Sequence, residues 1–220
     1  MHPSELKKFY VALYDFFGPQ HWWPGKTKFE VCIGAILTQN TSWKNVEKAL
    51  STLRAKKKLS PLAIDSLSHK ELAELIRSAG YYNQKASTIK AFCKHIIRKY
   101  SGSINAFLKK HQDVLREELL SIKGIGTETA DSIILYAANK PTFVVDAYTE
   151  RIMARVFGLS FKNRHELKVF FESNIPKDAK VYNEFHALLV ALAKNFCRKK
   201  PACAECPINK NCCYYNSIKN

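Results

Sequence analysis

The 220-residue chain carries 35 Lys and Arg against 19 Asp and Glu, a formal charge of +16. That excess makes a polyanion such as nucleic acid the first partner to consider, although a basic surface can also serve solubility alone. The length suits one domain or two small lobes, no run of eighteen apolar residues exists to cross a membrane, and the N-terminal Met-His-Pro-Ser-Glu-Leu-Lys-Lys lacks the apolar stretch of a secretory signal, so an intracellular setting is expected.

Helical periodicity predicts helices near 4–17, 28–38, 43–56, 69–78, 84–99, 112–120, 127–138, 147–157, 164–174 and 179–196, with no convincing strand. Turn signals separate them: Gly18-Pro19, Pro24-Gly25, Ser60-Pro61, Gly80, Ser101-Gly102, Gly124 to Gly126, Lys140-Pro141, Gly158 and Pro176. The expected class is all-α. Cys32 and Cys93 fall in apolar helix patterns and read as buried thiols. The basic run Arg54 to Lys58 reads as a solvated helix end, and His186, on the apolar face of its helix, reads as a buried structural histidine.

The most informative stretch is Ser-Ile-Lys-Gly-Ile-Gly-Thr-Glu at 121–128, followed by Val-Val-Asp at 144–146. Gly124 and Gly126 remove side chains from a tight turn, so that backbone N–H groups at a helix start can approach a DNA phosphate. Gly-x-Gly alone is a weak signal that also occurs in nucleotide-binding turns. A dinucleotide fold, however, alternates strands with helices, and the flanks here are helical, which leaves a helix-hairpin-helix ahead. Asp146 follows twenty positions after Gly126 and sits where a helix is expected to start, so it is both a candidate reactive carboxylate and a candidate cap. Five of the seven cysteines lie between 197 and 213, clustered as for a metal site and not as for a disulfide framework. Cys197, Cys203, Cys206 and then Cys212 or Cys213 are separated by five, two, and five or six residues; four thiolates suit a [4Fe–4S] cluster or a tetrahedral zinc.

The hairpin with its Val-Asp and the cysteine-rich tail resemble the endonuclease III superfamily of helix-hairpin-helix DNA glycosylases over about residues 22–213. The resemblance implies two helical lobes flanking a DNA-binding cleft, residues 27–138 forming a six-helix lobe with the hairpin, and residues 1–26 with 139–220 forming a second lobe with a C-terminal [4Fe–4S] loop at 197–213. It implies hairpin contacts to DNA from Lys123, Gly124, Ile125, Gly126 and Thr127. Two further segments match. In Leu-Thr-Gln-Asn-Thr at 37–41, Gln39 resembles the residue that fills the gap left by an extruded nucleotide, and in Gly-Tyr-Tyr-Asn-Gln-Lys-Ala at 80–86, Tyr81 matches a wedge in the base stack. A helix-ending polar residue and an ordinary loop tyrosine are the plain alternatives.

By the same resemblance Asp146 is the catalytic aspartate, and Cys197, Cys203, Cys206 and Cys212 hold the cluster, although the first loop is one residue shorter than usual and Cys213 competes with Cys212. Bifunctional members carry a Schiff-base lysine where this chain has Glu128. A glutamate cannot form an imine, which implies a monofunctional enzyme unless another lysine, Lys123 or Lys85, stands in. Trp22, Trp23, Pro24, Phe29 and Trp43, in their local contexts, are similar to the 3-methyladenine branch, where electron-rich rings would select a cationic alkylated purine. Core packing is the alternative use of the same rings. The expectation is thus a monomer acting on double-stranded DNA with a damaged base. An endonuclease III-type glycosylase/lyase for oxidised pyrimidines and a non-catalytic damaged-DNA-binding module are the competing readings.

Overall fold

The computed structural model of the chain describes residues 3–219, and every regular element among them is helical. The chain divides into two compact units, one continuous over Trp23–Lys140 and one built from the chain before Trp23 together with the chain from Pro141 onward. The first helix, α1 (Pro3–Phe17), belongs to the discontinuous unit.

In the continuous unit, α2 (Lys28–Leu37) is buried from Phe29 through Leu37 on all its sides, as befits a helix enclosed by others. The Thr27 hydroxyl starts it by accepting the Glu30 N–H at 3.1 Å. Glu30 itself is 2 % exposed and pairs with Arg54 of α3 (Trp43–Ala55), the partner a carboxylate needs at that depth. Ser60 with Pro61 opens the short α4 (Pro61–Asp65), and a reciprocal Ser68–Glu71 capping box opens α5 (His69–Leu75). Both pack on α6 (Tyr82–Tyr100), whose Phe92 lies between Phe29 at 6.3 Å and Phe107 of α7 (Ile104–Leu108) at 6.1 Å. Two helices complete the unit: α8 (Gln112–Ser121) and α9 (Thr127–Ser132), the latter running on into a π-helical turn, Ile133–Ala137. Buried Asp131 of α9 is bridged to Arg116 of α8 at 2.9 Å, which fixes the two arms of the hairpin to each other.

The discontinuous unit adds α10 (Ala147–Phe157), α11 (Arg164–Asn174), α12 (Ala179–Asn195) and α13 (Cys213–Lys219) to α1. Its core is aromatic: Phe143 stacks on Phe171 at 4.0 Å, and Phe185 of α12 meets Phe171 edge-on at 5.5 Å. Phe9 of α1 joins the same cluster through Phe185 at 6.1 Å and meets Phe157 edge-on at 5.1 Å.

The expected all-α class is what the chain adopts. Where the periodicity predicts one helix over 69–78, the chain forms α5 and then a separate 3₁₀ turn, Arg77–Ala79. α4, α7 and α13 are not anticipated, because five to seven residues span too few turns to display a period.

Candidate functional site

The hairpin between α8 and α9 uses its two glycines differently. Gly124 has φ +92°, in the left-handed region, and a Cβ there would lie 2.0 Å from the Thr88 hydroxyl oxygen. The fold itself therefore demands glycine at 124. Gly126 is extended, with φ −93° and ψ −180°, and a Cβ there would meet nothing within 4 Å. Its bare backbone leaves open space beside the first turn of α9, whose N–H groups lack acceptors within the helix and suit an anion. Ile125 sits between the two glycines with its side chain turned inward. Its N–H donates to the Ile122 carbonyl at 3.0 Å, so it pins the turn. Lys123, Thr127 and Glu128 are exposed, and Glu128 lies in the first turn of α9, where a negative charge favours the helix dipole.

Gln39 comes from a loop 85 positions earlier, yet its Nε2 donates to the Gly124 carbonyl at 3.1 Å and to the Thr129 hydroxyl at 2.9 Å. Tyr81 is 61 % exposed and has φ +46°, a left-handed conformation that a bulky side chain rarely adopts without a reason elsewhere in the fold. Gln39, Tyr81 and Gly124 line one cavity, shared with Asn40, Gln84, Lys85 and Thr88. Lys85 does not have the freedom of a stand-in nucleophile. It is 2 % exposed and its ammonium donates to the Leu37 carbonyl at 2.9 Å and the Ala79 carbonyl at 2.7 Å, while burial lowers it to about 8.

Among the aromatics, Trp23 is half-buried against the core, edge-on to Trp43 at 5.2 Å and 5.1 Å from Tyr136 in the π-helical turn. Gly34 permits this approach, since a Cβ there would stand 3.2 Å from the Trp23 ring nitrogen. Phe29 does not belong with these rings. It is buried in the core against Phe92. Pro24 is exposed, and Tyr136 is an addition no local pattern announces.

In the discontinuous unit Asp146 is the N-cap of α10, its Oδ1 accepting the Thr149 N–H at 2.8 Å and the Thr149 hydroxyl at 3.0 Å. Its Oδ2 faces the buried His186 Nε2 at 3.6 Å. Burial alone would raise this carboxyl, but the imidazole and the two Thr149 donors outweigh it and hold the group at about 2. Asp146 is consequently an anchored carboxylate, ionised at any ordinary pH. His186 is buried as the sequence suggests, but its place beside Asp146 follows from α12 crossing α10, which no spacing reveals. Lys194 follows on α12: burial lowers its ammonium, the Asp146 carboxylate acts in the opposite direction, and the charge stands 5.7 Å from the centre of the Trp22 ring.

Cys197, Cys203, Cys206 and Cys212 line a common cavity with Arg155, Phe196, Pro201, Ile208 and Tyr214. Cys212 is buried, whereas Cys213 is exposed and opens α13. Arg155 approaches Cys197 Sγ at 3.7 Å while donating to the Arg198 and Lys199 carbonyls, and Arg151 donates to the Cys197 carbonyl at 2.8 Å. Burial and then the three neighbouring thiols push Cys206 up to about 11, against a backbone donor that lowers it. One of the four thiols is buried and three are half-buried around this cavity, a donor set whose chemistry suits a thiolate-bound metal group. Among the described residues, no three Cys, His, Asp or Glu side chains stand close enough together to hold one metal ion.

A protein of Methanocaldococcus jannaschii named as a DNA repair glycosylase is 49% identical over 210 residues, 94% of this chain and 95% of its own length. The solved Helicobacter pylori 3-methyladenine DNA glycosylase bound to 1,N6-ethenoadenine is 30% identical, covers 88% of this chain and 98% of its own, and superposes with a TM-score of 0.76. An endonuclease III trapped as a covalent intermediate with DNA matches the fold over the whole of both chains, with a TM-score of 0.86 at 22% identity. No described helix is long and apolar enough to cross a membrane. The sequence model of the HhH-GPD superfamily of base excision DNA repair proteins matches residues 33–177, and with the hairpin, the Val-Asp helix start and the helical fold in agreement, the chain belongs to that superfamily.

Proposed function

We propose that this protein is a monofunctional DNA glycosylase that hydrolyses the N-glycosidic bond of an alkylated purine such as 3-methyladenine in double-stranded DNA, acting as a monomer. The anchored, ionised carboxylate of Asp146 carries this reading. As the C1′–N bond breaks, its electron pair leaves with the base and positive charge grows on the sugar. Asp146 stabilises that charge and accepts a proton from the water that attacks C1′. An N-alkylated purine is already cationic, so its departure needs no protonation by the enzyme. Lys123, Gly124, Gly126 and Thr127 supply phosphate contacts, Gln39 and Tyr81 enter the duplex where the nucleotide leaves it, and Trp22, Trp23 and Trp43 provide the electron-rich rings that favour a cationic base. The alkylpurine activity in the name of the H. pylori relative supports the substrate class.

Glu128, standing where bifunctional members carry a lysine, supports hydrolysis without strand cleavage. Purified protein incubated with duplexes containing a 3-methyladenine analogue or an oxidised pyrimidine is expected to release only the purine, to leave the strand intact before alkali, and to form no borohydride-trapped adduct. Release of the pyrimidine with direct cleavage would instead establish the endonuclease III-type activity.

Cys197, Cys203, Cys206 and Cys212 would hold a [4Fe–4S] cluster, a group that takes four cysteine thiolates. This group would organise the loop from Cys197 to Cys212. Bound iron and visible absorbance are expected to survive Cys213→Ser and to be lost in Cys212→Ser; the opposite pattern would transfer the fourth ligand to Cys213.

A further inference from the structure

We infer that Lys85 is a positioning residue for nucleotide extrusion, its single buried ammonium joining the two loops that enter the DNA; the inference rests on the reading of Gln39 and Tyr81 as the inserting residues. The Leu37 carbonyl closes α2 two residues before Gln39, and the Ala79 carbonyl stands two residues before Tyr81. Lys85 Nζ donates to both, at 2.9 and 2.7 Å, from a side chain 2 % exposed. Two charge-assisted bonds inside the protein hold backbone firmly, and leaving either carbonyl without its donor is costly.

The loops need such a restraint. Asn40 has φ +49° and Tyr81 φ +46°, conformations that persist only when the surroundings determine them. The same end of α6 supports the third DNA-facing element. Thr88, three positions and nearly one turn after Lys85, lies directly under Gly124, and Gln39 is itself bonded to the Gly124 carbonyl. The first turns of α6 thus seat the Gln39 loop, the Tyr81 loop and the hairpin, and Lys85 is the group there that bonds to the helix ends leading into both inserting loops. Its ammonium is committed to the two carbonyls and acts through Gln39 and Tyr81, without touching the reacting base.

The test uses a duplex with a tetrahydrofuran abasic analogue and 2-aminopurine opposite it, which reports insertion independently of base removal. Lys85→Met is expected to remain folded with a lowered melting temperature, to bind this duplex about ten- to a hundredfold more weakly, and to lose most of the 2-aminopurine signal, while affinity for undamaged duplex changes little. In a Tyr81→Ala background the added loss from Lys85→Met should shrink, because both substitutions disable one device. Should Lys85→Met not fold, Lys85→Gln, which keeps an N–H donor group but loses the charge and a methylene of reach, is expected to give an intermediate loss. Wild-type insertion by either folded variant, or a loss fully additive with Tyr81→Ala, would overturn the inference. Loss of base release with insertion intact would count against the proposed chemistry and leave Lys85 without this role.

Discussion

Asp146→Asn is expected to lower base release by about two to four orders of magnitude while leaving affinity for damaged duplex close to wild type. The substitution preserves shape and capping. An Asn carbonyl oxygen still accepts the Thr149 N–H and hydroxyl that now meet Oδ1 at 2.8 and 3.0 Å, so α10 keeps its start. What is lost is the negative charge facing the growing cation and the base that takes the proton of water. Single-turnover release, measured beside equilibrium binding, separates the two effects, and retained turnover in this variant would remove Asp146 from the chemistry. The depressed acidity sharpens the expectation. With the folded group at about 2 and the ordinary value at 3.8, the carboxylate is charged throughout the range in which the enzyme is assayed, and the stability it contributes is complete above 3.8 and lost only as pH falls towards 2. Any acid limb of activity between pH 4 and 6 therefore belongs to another group.

Gly124→Ala is expected to be the most damaging small substitution in the hairpin, costing about 3 kcal/mol or more of stability together with damaged-DNA binding. Two effects add. Alanine is strained at φ +92°, and its Cβ would press on a Thr88 hydroxyl 2.0 Å away. Thr88 cannot swing aside, because it is buried, β-branched and already donates to the Gln84 carbonyl at 3.1 Å. Adding Thr88→Ala should recover part of the loss, since the hydroxyl and methyl go while the backbone strain and the Cβ at 3.0 Å remain. Gly126→Ala is the control. It meets open space in an extended backbone, so its melting temperature should match wild type while phosphate affinity falls through steric obstruction of the ligand. Thermal melting and binding isotherms of the three variants check this, and equal stabilities for the two glycine variants would refute the distinction.

Features set by near neighbours were legible in the sequence. The helix starts at Lys28, Ala147, Arg164 and Ala179 follow from a polar cap and an apolar period, and the hairpin and the cysteine group follow from residues only a few positions apart. Short elements such as α4 and α7 were not, because they display no period. The amino-acid sequence by itself thus determined an all-helical basic chain with a hairpin, a carboxylate at a helix start and a cluster of thiols. Only the tertiary structure decided that Gly124 meets Thr88, that Gln39 reaches the hairpin, that Lys85 bonds to the helix ends leading into two loops, that His186 faces Asp146, and that Cys212 and not Cys213 joins the other thiols in their cavity. The reason is that periodicity and capping are interactions within a turn or two of the chain, whereas these contacts arise where packed helices bring distant residues together, and the side chains that meet there carry no local mark of their partners.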